Sequence, residues 1–368
     1  PFTDASKSVR RMAAATEAYL VNRGTLRSGS PGLSILAGFP WFADWGRDTF
    51  IALPGLLLCT QRYELARRVF RTYAERLDEG MIPNRFDDYD GPPHFNSVDA
   101  SLWFVIAAER YVHATNDEEF WNEVLLPACR TILARYAEGT QFNIHADGEG
   151  LLWAGSRDTQ LTWMDAKIGN EVITGRWGKA VEINALWYCA HRILAERLMK
   201  TEPKQAELYA READRIGFAF VQNFWNDKFE WLCDVVNEEG ADASLRPNQI
   251  FAVSLPYSPL TVQQQRGVIL AIRENLLTPL GLRTLSPRDR RYRRRYGGSG
   301  ESRERAYHQG TVWAWLMGAF IEAYLKVEYG DKSPKAVAQA KGWLSAFDTH
   351  LDQACIGQVS EIFDGDAP

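Results

Sequence analysis

The chain has 368 residues and a formal net charge of −5, so its surface offers no general attraction to nucleic acid or anionic lipid. Its five cysteines stand apart at 59, 129, 189, 233 and 355 and its six histidines are dispersed, which argues against a disulfide framework, a zinc site or any other metal centre and suits a reducing, cytoplasmic setting. Apolar runs such as FIALPGLLL are too short to span a bilayer, and no signal peptide is visible. Along the chain, helical periodicity dominates. It predicts helices near 5–22, 49–59 and 61–78, the last placing Tyr63, Ala66, Val69, Phe70, Tyr73 and Leu77 on one face. Further helices are predicted near 98–114, 117–138, 180–199, 204–224, 247–254, 262–277, 308–329 and 334–350. Strand signal is confined to LLWAG (151–155) and FEWLCDVV (229–236), each read as a short hairpin arm, and no convincing sheet is expected.

Helices that are apolar all round alternate with amphipathic ones. A helix of the first kind is buried and one of the second faces water. A ring of buried helices wrapped by half-exposed ones fits this order, and the fold class it predicts is all-α, an (α/α)6 barrel. Its last inner helix would begin after residue 361. No Pro/Ser/Gly-rich linker divides the chain, so residues 1–368 read as a single domain. The segments 87–93 and 294–305 read as loops within the pattern. The opening on Pro1 and the abrupt ending EIFDGDAP read as a piece of a longer chain. Eight arginines fall between Arg288 and Arg305. With an acidic whole and no nucleic-acid motif, they read as a solvated loop partly offset by Asp289, Glu301 and Glu304.

Polar and aromatic clusters recur at the starts of the buried helices: DWGRD (44–48), FNSVD (95–99), LTWMDAKIG (161–169), RPNQ (246–249), AYHQG (306–310) and VSEIFDG (359–365). In an up-and-down ring these starts share one end, where they would line a common mouth. Taken singly, Asp48, Asn96 with Asp99, and Pro247 with Asn248 also suit helix capping. Caps do not call for the nearby Trp41, Trp45, Trp163, Trp313 and Trp315. Indole rings beside carboxylates and an arginine suit sugars, whose apolar face stacks on a ring and whose hydroxyls take charge-assisted hydrogen bonds from Asp and Arg. Some of the tryptophans would serve packing alone.

Cleaving a glycosidic bond takes two carboxyl groups, one protonated and one ionised, on opposite faces of the sugar. Asp165 follows Trp163 and Met164, an apolar setting that would raise its pKa; it also fits a loop residue making local turn bonds. Its partner would come from Glu182, Glu301, Glu304 or Glu361. Glu182 falls within a buried helix and should be paired with Lys179 or an arginine. Glu301 and Glu304 sit in the arginine-rich segment, and Glu361 stands just before the position of the absent inner helix.

The segments AGFPWFADWGRDTFIALPGLLL, NSVDASLWF, LTWMDAKIG, GKAVEINALWY, LRPNQIFAVSLP, AYHQGTVWAWLMGAFIEAYL and VSEIFDGD resemble the C-terminal catalytic domain of glycogen debranching enzymes, the amylo-α-1,6-glucosidases. The resemblance implies a glucoamylase-like (α/α)6 barrel that needs no cofactor. It implies hydrolysis, with inversion, of the α-1,6-linked glucose stub on glycogen or another branched α-glucan. It also implies that Arg47 and Asp48 grip the terminal glucose, that Asp165 is the general acid and that Glu361 is the general base. Trp41, Asp44, Trp45, Asn96, Asp99, Trp163, Glu182, His308, Gln309 and Trp313 would complete the substrate-binding set, although His308 also suits a packed core position. The β-rich N-terminal domain and the transferase half found in members of that family have no counterpart in these residues. A related α-glucosidase, glucoamylase-like or trehalase-like, would share the same clamp. A glucan-binding module without catalysis would require one of the two carboxylates to be replaced, and both are present.

Overall fold

The computed structural model describes residues 2, 5–87, 91–329, 333–353 and 357–366. Cys355 and part of the 87–93 loop lie outside them. Two compact units emerge, Pro1–Ala146 and Asp147–Pro368.

In the first unit, α1 (Lys7–Ala15) leads through a short 3-10 turn into an antiparallel hairpin of Leu20–Thr25 and Pro31–Ile35, with Leu20 opposite Ile35 and Asn22 opposite Leu33. The helix predicted over 5–22 therefore stops early. Backbone groups from Leu20 onward are taken by the ladder, and Gly24 adopts φ +59° there. Then come α2 (Gly46–Leu53), α3 (Tyr63–Ala74), α4 (Asp99–Thr115), the one-turn α5 (Glu118–Phe120) and α6 (Leu126–Glu138). On α3 the buried residues are Ala66, Val69, Phe70, Thr72 and Tyr73, a single helical stripe. By contrast, 12 of the 17 residues of α4 are buried, its apolar residues running unbroken from Leu102 to Ala108. The two helices meet α2 in an aromatic cluster. The Phe50 ring lies 4.9 Å from Phe104 and 5.0 Å from Tyr73, and Phe70 lies 5.3 Å from Phe104. Edge-to-face contacts of this kind fix the start of α2, where the DWGRD segment sits.

The second unit repeats the alternation. Of the 18 residues of α7 (Val181–Leu198), 15 are buried, whereas α8 (Pro203–Phe224) buries a stripe running from Ala206 to Phe224. Pro247–Ile250 form a buried 3-10 turn that runs into α9 (Phe251–Ser254), also buried, and α10 (Val262–Asn275) is one-sided. After the short α11 (Gly300–Ala306) come α12 (Leu316–Tyr324) and α13 (Pro334–His350). Helices thus dominate, as expected, and α11 corrects the reading of 294–305 as loop. Glu301 and Glu304 ride on that helix, with Glu301 3.0 Å from Arg305.

The expectation of no sheet needs a larger correction. Leu277–Thr278, Gly281–Arg283, Val312–Trp313 and Ile362–Phe363 form a four-stranded antiparallel sheet. Residues 308–315 are consequently turn and strand, and α12 begins only at Leu316. A second small sheet joins Lys179–Ala180, Val235–Asn237 and Gly240–Asp242. Strands of two or three residues are too short to show an alternating pattern, so periodicity could not reveal them.

Candidate active site

In the first unit the DWGRD segment is held from behind by the backbone of residues 82–86. Gly46 donates its N–H to the Asn84 carbonyl at 2.8 Å, and Trp45 bridges Arg85. A Cβ at residue 46 would collide with the Pro83 carbonyl, so the close approach requires glycine. From the first turn of α2, Arg47 Nε donates to both carboxylate oxygens of Asp99 at 2.8 Å. Ser97 Oγ donates to Asp99 Oδ1 at 2.5 Å and accepts from the Ala100 N–H, so Ser97 rather than Asn96 does the capping. Arg47 and Asp99 are both buried, and such a pair orients the guanidinium at the cost of desolvation. Asp44 is fully buried and paired with Arg23, its carboxylate turned inward. Asp48 is half-buried in the first turn of α2, Asn96 is exposed, and Arg85 lies over the Trp45 ring at 5.9 Å. Trp41 is 89% exposed, which frees its ring for stacking rather than packing.

In the second unit the clusters at 161–169, 246–249, 306–310 and 359–365 come together around a buried charge network. Arg176 Nε meets Asp234 Oδ2 at 2.7 Å, and Arg176 Nη2 meets Glu182 Oε2 at 2.6 Å. Asn248 Nδ2 donates to Asp234 Oδ1 at 2.7 Å, and Trp163 Nε1 donates to Asn248 Oδ1 at 2.7 Å. The small sheet at 179–180 and 235–237 fixes this register, since the Val181 N–H donates to the Asp234 carbonyl at 3.0 Å. Burial opposes charge on Arg176, and Asp234 with Glu182 outweighs it, holding the guanidinium above its ordinary pKa. Burial pushes the Glu182 carboxyl up, against the pull of Arg176. The partner of Glu182 is therefore an arginine, and Lys179 turns instead to Asp147 and Glu149 at 2.6 and 2.9 Å. A parallel chain of bonds runs from Arg246, whose Nη1 donates to the His308 carbonyl at 2.8 Å and whose Nη2 donates to Gln309 Oε1 at 3.0 Å. Gln309 Nε2 donates to Thr174 Oγ1 at 2.9 Å. Burial pulls the Arg246 pKa down to about 10. Glu182 and Gln309 have their polar side-chain atoms on protein partners in this structure.

Above this network stands an aromatic wall. Trp163 lies 5.2 Å from both Trp313 and Trp315 and 5.3 Å from His308, while His308 stacks on Trp313 at 5.2 Å. Tyr307 packs on both, 4.7 Å from His308 and 5.0 Å from Trp313. Its hydroxyl donates to Glu361 Oε1 at 2.8 Å. Pairing of Trp313 with Ile362 in the four-stranded sheet fixes the neighbouring Glu361 at this wall. Glu361 is exposed as a whole residue, yet its carboxyl is desolvated enough to be pushed up; Tyr307 opposes that shift and the charge on Asp165 adds to it. Burial, then Glu361, and then Asp165 hold the Tyr307 hydroxyl far above its ordinary pKa. Asp165 is half-buried directly after the buried Trp163 and Met164. Two carboxyls within electrostatic reach of each other beside an aromatic wall are the set of groups that acid–base cleavage of a glycoside uses. Sequence reasoning missed Tyr307, Arg176 and Asp234. Tyr307 lies inside AYHQG and was visible; the other two are ordinary in sequence and gain meaning only as partners.

The fold resembles a solved structure of a rhamnosidase from Klebsiella oxytoca with rhamnose bound, with a TM-score of 0.60, 16% identity, and coverage of 98% of this chain and 58% of that one. In sequence, the chain is 28% identical over 425 residues to a glycogen debranching enzyme of Saccharomyces cerevisiae, covering 89% of this chain. The chain spans only 27% of the length of that relative. Residues 14–368 match the family described as amylo-alpha-1,6-glucosidase. The chain therefore belongs to the amylo-α-1,6-glucosidase family, a family of glycoside hydrolases by its name. Among the described residues no helix is long and apolar enough to cross a membrane.

Proposed function

We propose that this chain is the glucosidase part of a debranching hydrolase, releasing glucose from α-1,6 stubs on glycogen or another branched α-glucan with inversion at the anomeric carbon. Family membership over residues 14–368, joined to the Tyr307–Glu361 hydrogen bond with Asp165 in electrostatic reach, carries this reading. In the proposed mechanism Asp165 is the acid and protonates the departing glycosidic oxygen. Glu361 is the base and takes a proton from the attacking water, with Tyr307 holding its carboxylate in place. Arg47 and Asp48 bind sugar hydroxyls, and Trp41, Trp45, Trp163 and Trp313 offer ring faces. The helices form one catalytic domain of (α/α)6 type. The test is product analysis on limit dextrin, panose, maltotriose and trehalose, with the released anomer followed by NMR. Release of β-glucose from limit dextrin and panose is expected. Preferential cleavage of maltotriose or trehalose would move the enzyme to a different linkage, and α-glucose as first product would remove the inverting mechanism.

A pH dependence follows from the same pair. A base must be ionised to act, and desolvation raises the pKa of Glu361. The acid limb of the kcat/KM profile is therefore expected to lie above the ordinary glutamate range, with activity lost as pH falls through it. Glu361→Gln should abolish turnover by about 10²–10⁴-fold. A raised folded-state pKa is a stability contribution present at low pH and lost as pH rises through it. Relief from that loss makes the variant's melting temperature equal to or above wild type at neutral pH. An acid limb near the ordinary value, or a destabilised Glu361→Gln, would count against the assignment.

A further inference from the structure

Asn84 is 1% exposed, and neither its amide nitrogen nor its amide oxygen has a hydrogen-bond partner among the described residues. A buried amide left in that state costs free energy that an apolar residue of the same shape would avoid. Its backbone, in contrast, is fully used. The N–H donates to the His94 carbonyl at 2.7 Å and the carbonyl accepts from Gly46 at 2.8 Å. That second bond locks residue 84 against the turn carrying Trp45 and Arg47. On either side the segment is equally fixed. Ile82 donates its N–H to Ser101 Oγ at 2.9 Å, and Arg85 bridges Trp45 and covers its ring. The charged groups of this cluster are already engaged with each other, Asp99 with Arg47 and Asp44 with Arg23. Asn84 thus holds a buried acceptor and a two-proton donor with no partner for either among the described residues.

We propose that Asn84 is a further sugar-binding residue, its Oδ1 accepting from one ring hydroxyl of the substrate and its Nδ2 donating to the adjacent one. A vicinal diol matches an amide in this way, since each hydroxyl both donates and accepts. The proposal rests on the hydrolase reading for its ligand class. Its test is separable from that reading, because it compares Asn84 variants with wild type on whichever glucoside wild type cleaves.

The variants are Asn84→Leu, close in volume and apolar, and Asn84→Asp, which keeps the shape and the acceptor but loses the donor. Binding of 1-deoxynojirimycin by calorimetry accompanies kcat/KM and the melting temperature. Loss of two hydrogen bonds should lower kcat/KM and iminosugar affinity by roughly 10- to 100-fold in Asn84→Leu, with the melting temperature held or raised. On glucosides lacking one hydroxyl of the diol, the variant's deficit should shrink, because the bond it lost is already missing. Unchanged kcat/KM and iminosugar affinity, or a deficit that is the same on every deoxy-glucoside, would overturn the assignment. Should Asn84→Leu fail to fold, Asn84→Asp carries the same comparison with the same two outcomes. A wild-type enzyme that prefers trehalose to limit dextrin would displace the debranching reading and leave the Asn84 result standing.

Discussion

Asp165→Asn should lower kcat on limit dextrin by about 10²–10⁴-fold while leaving the urea unfolding midpoint near that of wild type. Asparagine matches aspartic acid in shape but cannot supply the proton that the leaving oxygen needs. Arg176 spends its hydrogen bonds on Glu182 and Asp234, and Asp165 is half-buried in a loop directly after the buried Trp163 and Met164. Replacing Asp165 by its amide should leave that network intact. A second consequence separates a catalytic from a structural role. Substrates with a good leaving group, such as 4-nitrophenyl glucoside, need less protonation and should recover part of the lost rate. Wild-type kcat on limit dextrin in a folded Asp165→Asn protein would remove the mechanism.

Arg176→Met should destabilise the protein by about 3–5 kcal/mol, the cost of leaving buried charge without its partner. Arg176 is the shared cation between Glu182 and Asp234, and all three side chains are almost wholly buried. Methionine fills much of the same volume, so the loss reports charge rather than a cavity. In the variant the Glu182 carboxyl would be pushed further up than it already is. Groups with raised folded-state pKa values contribute stability at low pH and lose it as pH rises. The gap in urea midpoint between variant and wild type should therefore be smaller at pH 5 than at pH 8. A loss under about 1 kcal/mol, or a gap independent of pH, would mean that the network is not the support described here.

How much of this was legible in the sequence differs by scale. Long helices were, because the stripe of α3 and the unbroken apolar run Leu102–Ala108 of α4 each extend over about two turns or more. The sheet carrying Trp313 and Ile362 was not, because its two-residue strands have no period to read and their pairing spans distant positions. The carboxylates and tryptophans could be named from their company, carboxylate beside ring. Their supports could not. Nothing near Arg176 in the chain marks it as the partner of Glu182 in preference to Lys179, which is closer in sequence and turns elsewhere. Asn84 sits in an ordinary stretch and becomes conspicuous only once its neighbours are seen to leave its amide unused.

The chain of bonds from Trp163 through Asn248 and Asp234 to Arg176 has a consequence for how such a protein can change over generations. Each member is held by the next, so a lone substitution strands a neighbour, and innovation there requires simultaneous exchanges. Trp41, with its ring open to solvent, carries no such obligation. Descendants of this gene would be expected to explore new appetites first at the rim and last in the interlocked interior.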